Sequence, residues 1–270
     1  MTVEVALIGA GIMGSAIGTR LLECGHRLHV FDLDAAKVDV LARKGAVSAA
    51  SIADAVRNCT FVILSLNSAK IVRSVVFGGG GLASVSGPDC LLIDMSSIDP
   101  GETRDMAAQL AESCGMAWLD CPLSGGVPGA LTGKLTVMAG GTEENFERAR
   151  PVMDDLCANY NLMGGNGAGQ TTKLINQLFC AIAFQAVAEA VKLAEAGGVD
   201  PRKIPGALAG GRADNRMMQE FMIKFANRDF TPTGRLDNMR LSALPPASAP
   251  GILRGSTPPA SASFTASATA

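Results

Sequence analysis

Disulfide and zinc chemistry have little to work with in this sequence. The seven cysteines, Cys24, Cys59, Cys90, Cys114, Cys121, Cys157 and Cys180, are odd in number and scattered, and no C-x-x-C pair occurs. That is the cysteine usage of a reducing compartment, and no metal site is expected. Charge is scarce as well: 18% of residues are charged and the formal net charge is −2. Nothing electrostatic therefore points to nucleic acid or an anionic membrane as a partner. No basic segment followed by an apolar run opens the chain, and Glu4 already interrupts the first apolar stretch, so no signal peptide is read. The most apolar later stretch, residues 178–194, carries Gln185, Glu189 and Lys192, which a membrane span would bury only at high cost. A cytoplasmic location is the expectation. The G-x-S-x-G turn of a serine hydrolase is also missing.

What is present is apolar and periodic. Hydrophobic residues make up 48% of the 270, enough for the core of one large domain or two small ones. Residues 3–8, 28–31, 61–66, 91–95 and 117–119 are short apolar runs of the kind that form strands buried on both faces, with helical stretches between them. Strand alternating with helix predicts an α/β fold with a doubly wound parallel sheet. The glycines at 78–81 and the Pro88-Asp89 turn read as breakers.

Directly after the first run comes Gly9-Ala10-Gly11-Ile12-Met13-Gly14, which opens a helical pattern. In that position the first glycine permits a tight turn. The second lets the backbone approach a pyrophosphate, and the third lets the helix pack close to the sheet with its N-terminus toward the phosphates. An acidic residue about 20 positions on completes the dinucleotide fingerprint; here it is Asp32, at the end of the second run. A carboxylate there accepts hydrogen bonds from the adenine ribose and repels a 2′-phosphate. With Leu33 and Asp34 following instead of arginine, NAD is expected over NADP. Asp32 could equally cap a following helix. The two histidines, His26 and His29, flank the second strand and are expected at the adenosine end of the fold.

Two further segments carry polar groups suited to a small acid. Asp120-Cys121-Pro122-Leu123-Ser124-Gly125-Gly126 closes a strand. Its small residues with free amides form either an anion nest, to which the Ser124 hydroxyl adds a donor, or a plain turn. Gly167-Ala168-Gly169-Gln170-Thr171-Thr172-Lys173 leads into a long helical stretch ending near Gly197-Gly198. Lys173, Asn176 and Gln177 stand at i, i+3 and i+4 and share a face with Cys180, Ala181 and Phe184. That face reads as inward-looking. A lysine there either has a role or snorkels to the surface.

From about residue 3 to 239 the ordered set of motifs resembles the β-hydroxyacid dehydrogenase family. The set comprises the glycine loop, Asp94-Met95-Ser96-Ser97, residues 120–126, residues 167–177 and Arg228-Asp229-Phe230-Thr231-Pro232. The resemblance implies a Rossmann domain over residues 1–163, a helical domain over 164–239 and an active site in the cleft between them. It implies that Ser124, Gly125 and Gly126 bind a substrate carboxylate and that Lys173 is the catalytic acid/base. Asn176 or Gln177 would position the substrate, and Leu66, Asn67 and Ser97 would touch the cofactor. It implies hydride transfer between NAD(H) and a small 3-hydroxy acid or its semialdehyde, and a homodimer or homotetramer if the helical domain folds. Lys173 argues against the related imine reductases, which commonly place another residue there. A short-chain dehydrogenase is disfavoured because the single tyrosine, Tyr160, is followed four residues on by Gly164 instead of lysine. After Met239 the composition changes to mostly Ala, Ser and Pro, without Lys, Asp or Glu. Residues 240–270 read as a disordered tail, the mark of an altered frame, a fusion scar or a truncated product. Family members continue instead with further helices. A dinucleotide-binding protein without turnover is therefore the competing reading.

Overall fold

The computed structural model describes residues 2–231. Six parallel strands, β1 (Glu4–Ile8), β2 (Arg27–Phe31), β3 (Val47–Ser48), β4 (Phe61–Leu64), β5 (Leu91–Asp94) and β6 (Ala117–Asp120), form one sheet in the order β3-β2-β1-β4-β5-β6. This is the strand order of a doubly wound dinucleotide-binding sheet. Successive side chains face opposite sides, and both sides are covered. Val5, Leu7, Val30, Ile63 and Ile93 belong to one buried cluster with helices Ile12–Glu23 and Ala35–Ala42. Ala6, Ile8, Val62, Leu64 and Leu92 belong to a second, beneath helices Ala69–Phe77 and Pro100–Cys114. That double burial is why β1, β4, β5 and β6 read as nearly unbroken apolar runs.

A smaller sheet follows that the sequence did not reveal. Strands β7 (Leu123–Ser124), β8 (Leu135–Ala139) and β9 (Cys157–Leu162) lie in that order, β7 antiparallel and β9 parallel to β8. An antiparallel bridge between Asp120 and Gly140 ties this sheet to the end of β6. The helix Ala168–Ala196 runs on for 29 residues and is followed by helices Ile204–Leu208 and Arg216–Ala226. Its far half packs Val187 and Val191 against Met218, Phe221 and Met222 in a third core, where the Phe184 and Phe221 rings meet at 4.6 Å. The chain is thus a Rossmann unit followed by a helical one. The long helix is apolar enough by length and composition to cross a bilayer, yet its first turn is bonded to the sheet and its far half packs against the helix Arg216–Ala226. It is the core helix of this fold.

Two expectations need correction. The face holding Cys180, Ala181 and Phe184 is only half-buried. His26 and His29 do not sit at the adenosine end. His26 precedes β2, where its Nε2 lies 2.9 Å from Asp155 and Val3 N–H donates to its Nδ1. His29 Nε2 pairs with Glu4 at the start of β1, 2.8 Å away. Strand direction puts these contacts toward the edge opposite Asp32. The readings that fell on residues 232–239 and on the tail 240–270 lie outside the described residues.

Candidate active site

The glycine loop is built as its spacing demands. Gly9, at φ +99°, donates to Phe31 O at 2.9 Å, and a Cβ there would come within 2.5 Å of Ser65 O. A Cβ on Gly14 would strike Gly9 O at 1.9 Å, whereas one on Gly11 would meet nothing within 4 Å. The crowded positions hold the turn and the helix against the sheet; the open one faces free space. Gly11 is also the N-cap of Ile12–Glu23, a helix with no side-chain cap and no acidic residue in its first turn. Its leading amides, at Ile12 and Met13, are available to an anion such as a pyrophosphate. The residues present fit the dinucleotide that the motif implies.

Asp32 closes β2 against this loop. Its Oδ2 accepts from Ala10 N–H at 2.8 Å and its Oδ1 from Asp34 N–H at 2.9 Å, with Lys37 Nζ 3.9 Å away. The cap of the next helix is Asp34, which accepts from Ala36 N–H at 3.1 Å, so the capping alternative for Asp32 is set aside. Beside it opens a cavity of about 450 Å³ bounded by Phe31, Leu33, Val38, Ser48 and Ala49 among others.

The loops after β4 and β5 are locked to each other. Leu66 N–H donates to Ser96 Oγ at 3.1 Å, and Ser96 N–H donates to Asp94 Oδ1 at 3.0 Å. Asn67 is exposed and Ser97 half-buried at the same edge of the sheet. Asp94 is fully buried, and its Oδ2 has no partner. Burial pushes its carboxyl up to about 7, and the neighbouring Asp120 adds to the rise. Asp120 instead serves the long helix, accepting from Gly167 N–H at 2.8 Å and from Gln170 N–H at 3.1 Å. Burial raises its pKa too, against the pull of those amides. The Gln170 side chain returns to the β5 loop, donating to Ser96 O at 2.8 Å and accepting from Ile98 N–H at 3.1 Å.

One turn on, Lys173 is half-buried, and desolvation lowers its pKa. Among the described residues no carboxylate lies within ion-pair distance of it. Gln177 is buried, and its Oε1 accepts from Asn176 Nδ2 at 2.9 Å. Ser124 is half-buried on β7, paired with Thr136 of β8. Gly125 and Gly126 follow, both exposed and both at positive φ, +122° and +61°. The long helix reaches the same strand β8, where a Cβ on Gly169 would lie 2.3 Å from Met138 O. The glycine loop, Asp32, Leu66, Asn67 and Ser97 thus share the carboxyl edge of the main sheet, and the Lys173 helix is stitched to that edge. No hydrogen bond joins Lys173 to Ser124, Gly125 or Gly126. Sequence reasoning missed the Ser96 and Gln170 contacts. Their one local signal was a pair of aspartates, Asp94 and Asp120, each closing an apolar strand.

Sheet order, glycine loop and terminal aspartate define a nicotinamide-dinucleotide-binding protein of the Rossmann class. Comparison with known proteins narrows this. A family described as the NAD binding domain of 6-phosphogluconate dehydrogenase matches residues 4–165, and one described as NAD-binding of NADP-dependent 3-hydroxyisobutyrate dehydrogenase matches residues 167–240. The Escherichia coli 2-hydroxy-3-oxopropionate reductase is 37% identical over 229 residues, covering 85% of this chain and 78% of its own. The Pseudomonas aeruginosa 3-hydroxyisobutyrate dehydrogenase is 34% identical, covering 84% and 82%. A solved Mycobacterium tuberculosis 3-hydroxyisobutyrate dehydrogenase with L-serine superposes with a TM-score of 0.81 at 29% identity, over 90% of this chain and 84% of that one. The chain belongs to the β-hydroxyacid dehydrogenase family. Solved imine reductases, 21–24% identical, share the fold alone.

Proposed function

We propose that this protein transfers a hydride between NAD(H) and a small 3-hydroxy acid or the corresponding semialdehyde. The observation that carries the reading is Lys173: half-buried, without a carboxylate partner among the described residues and lowered in pKa, on a helix bonded to the proposed cofactor edge. When bound, the nicotinamide supplies or accepts the hydride. Lys173 Nζ gives a proton to the carbonyl oxygen in reduction and takes it from the hydroxyl in oxidation. The Ser124 hydroxyl and the amides of Gly125 and Gly126, at successive positive φ, hold the substrate carboxylate. Asn176 or Gln177 positions the substrate.

Gly9, Ala10, Gly11, Ile12, Met13 and Gly14 form the pyrophosphate cradle, and Leu66, Asn67 and Ser97 border the cofactor. Asp32 favours NAD over NADP. Relatives named for 2-hydroxy-3-oxopropionate and 3-hydroxyisobutyrate support a short substrate with one carboxylate. We further propose domains over residues 1–163 and 164–239, a cytoplasmic location and a homodimer or homotetramer. The last is supported by the exposed Ile175, Leu178, Phe179 and Ile182.

The test is a panel of short 3-hydroxy acids and carboxylate-bearing semialdehydes with NAD(H) and NADP(H), followed at the nicotinamide absorbance. Turnover with at least one small acid and NAD(H) is expected. Binding of NADH without turnover of any member would favour the competing reading, a dinucleotide-binding protein without catalysis. The bare apolar face of the long helix is the observation on that side.

A further inference from the structure

We propose that Gln170 is a positioning residue that couples the Ser96 and Ser97 loop, beside the cofactor, to the helix that presents Lys173, so that dinucleotide binding sets the place of the lysine. The proposal rests on the reading of Lys173 given above. Gln170 is 1% exposed, and both ends of its amide reach one loop: Nε2 donates to Ser96 O at 2.8 Å, and Oε1 accepts from Ile98 N–H at 3.1 Å. Its own N–H is held by Asp120 Oδ2 at 3.1 Å. Ser96 in turn receives Leu66 N–H on its hydroxyl. One hydrogen-bonded path therefore runs from the β4 loop through Ser96 to Gln170, and Lys173 stands three residues further, on the same face of the helix.

The path is stiff. A methyl group at Gly169 would lie 2.3 Å from Met138 O and 2.8 Å from Asp120 Oδ2, so the helix is packed closely against the sheet beside Gln170. A carboxamide is suited to the task because it offers a donor and an acceptor side by side. A glue residue that only held the two units together would not transmit the state of the cofactor loop, and the test turns on that difference.

Amide hydrogen exchange is followed in the full chain with and without NADH, alongside steady-state kinetics. In the parent, NADH is expected to slow exchange in residues 94–99 and also in 168–174. In Gln170→Ala, protection of 94–99 by NADH persists and protection of 168–174 is lost. kcat then falls roughly tenfold to a hundredfold while KM for NADH stays within about twofold, as expected for a displaced but intact acid. Gln170→Glu adds a pH readout, taken as the difference from the parent because the buried Asp94 and Asp120 face the same loop and helix turn. A protonated carboxyl can donate to Ser96 O as the amide does, so coupling is present at low pH and disappears as pH rises. This variant also decides the matter if Gln170→Ala does not fold.

Protection of 168–174 in Gln170→Ala equal to the parent's overturns the proposal. So does Gln170→Glu behaviour independent of pH, or a joint loss of kcat and NADH affinity. NADH that leaves 94–99 unprotected in the parent overturns the dinucleotide reading and this proposal with it. Parent-like turnover in Lys173→Ala overturns the lysine reading, and with it the claim that the coupling serves catalysis.

Discussion

Both carboxylate oxygens of Asp32 are engaged by backbone amides, one from the glycine loop and one from its own turn. The residue therefore shapes the glycine loop in addition to the ribose contact proposed for it. Hydrogen bonds to a charged group contribute roughly 1.5–3 kcal/mol. Asp32→Ala is expected to weaken NADH binding by roughly one to two orders of magnitude and to narrow the preference over NADPH, in fluorescence titrations with each. A parent that already binds NADPH more tightly than NADH would sink the assignment. Lys173→Ala is expected to lower kcat by on the order of 10²–10⁴-fold with NADH affinity nearly unchanged. Because burial lowers the lysine's pKa, reduction should slow as pH rises through that lowered value, and oxidation should speed up over the same range. A variant keeping half the parent rate would remove Lys173 from the chemistry. These two residues were legible because each announces itself locally, by an end-of-strand position or by an i, i+3, i+4 cluster. Gln170 was not, because its partners lie 72 and 74 residues away and no local pattern encodes them.

Among the elements, β5 carries the least settled charge. Asp94 titrates near 7 in the fold against an ordinary value of 3.8. The folded state therefore holds the proton to higher pH than the unfolded chain does. The stability attached to this group is complete below about 3.8 and is lost as pH rises through about 7. Asp94→Asn keeps an acceptor for Ser96 N–H and removes the ionisation. The parent is expected to lose stability relative to Asp94→Asn between these two values, by on the order of a few kcal/mol at most. Urea unfolding across the range measures it, and parallel pH profiles for the two proteins would contradict it. The strands themselves divide by length and burial. β1, β4, β5 and β6 could be read because both faces are buried and the runs are apolar, and β2 because Leu28 and Val30 alternate with partly exposed neighbours ahead of Asp32. β3 and β7 have two residues each, too few for a period. β9 reads Cys-Ala-Asn-Tyr-Asn-Leu, with only Cys157, Tyr160 and Leu162 even partly buried, and gives neither an apolar run nor a clean alternation.

For the molecule as a whole, the long helix presents two unlike faces. Val187 and Val191 are enclosed, while Phe179 and Ile182 are 68% and 58% exposed. Leu174, Leu178, Ile182 and Val191 are apolar positions spaced along this helix. The structure separates them, because Arg216–Ala226 covers only the distal part of the helix. Burying apolar surface contributes roughly 25 cal/mol per Å², so this face favours self-association. The double variant Phe179→Ser with Ile182→Ser is expected to reduce concentration-dependent association in light scattering and to leave NADH affinity as it was. Unchanged association would show that the stripe is not where copies meet.

The bond from Asp120 to the start of the long helix also has a bearing on synthesis. The helix finds its terminating carboxylate 47 residues earlier in the chain, at the end of β6. A chain emerging from the ribosome N-terminus first can close the sheet around Asp94 and Asp120 before residue 167 appears. Pulse-labelled exchange during refolding should accordingly protect β5 and β6 ahead of residues 168–174. Simultaneous protection would mean that the two form as one unit. In the sequential case the nascent sheet waits with an acid still open to solvent, and the arriving helix both covers it and supplies its amide partners.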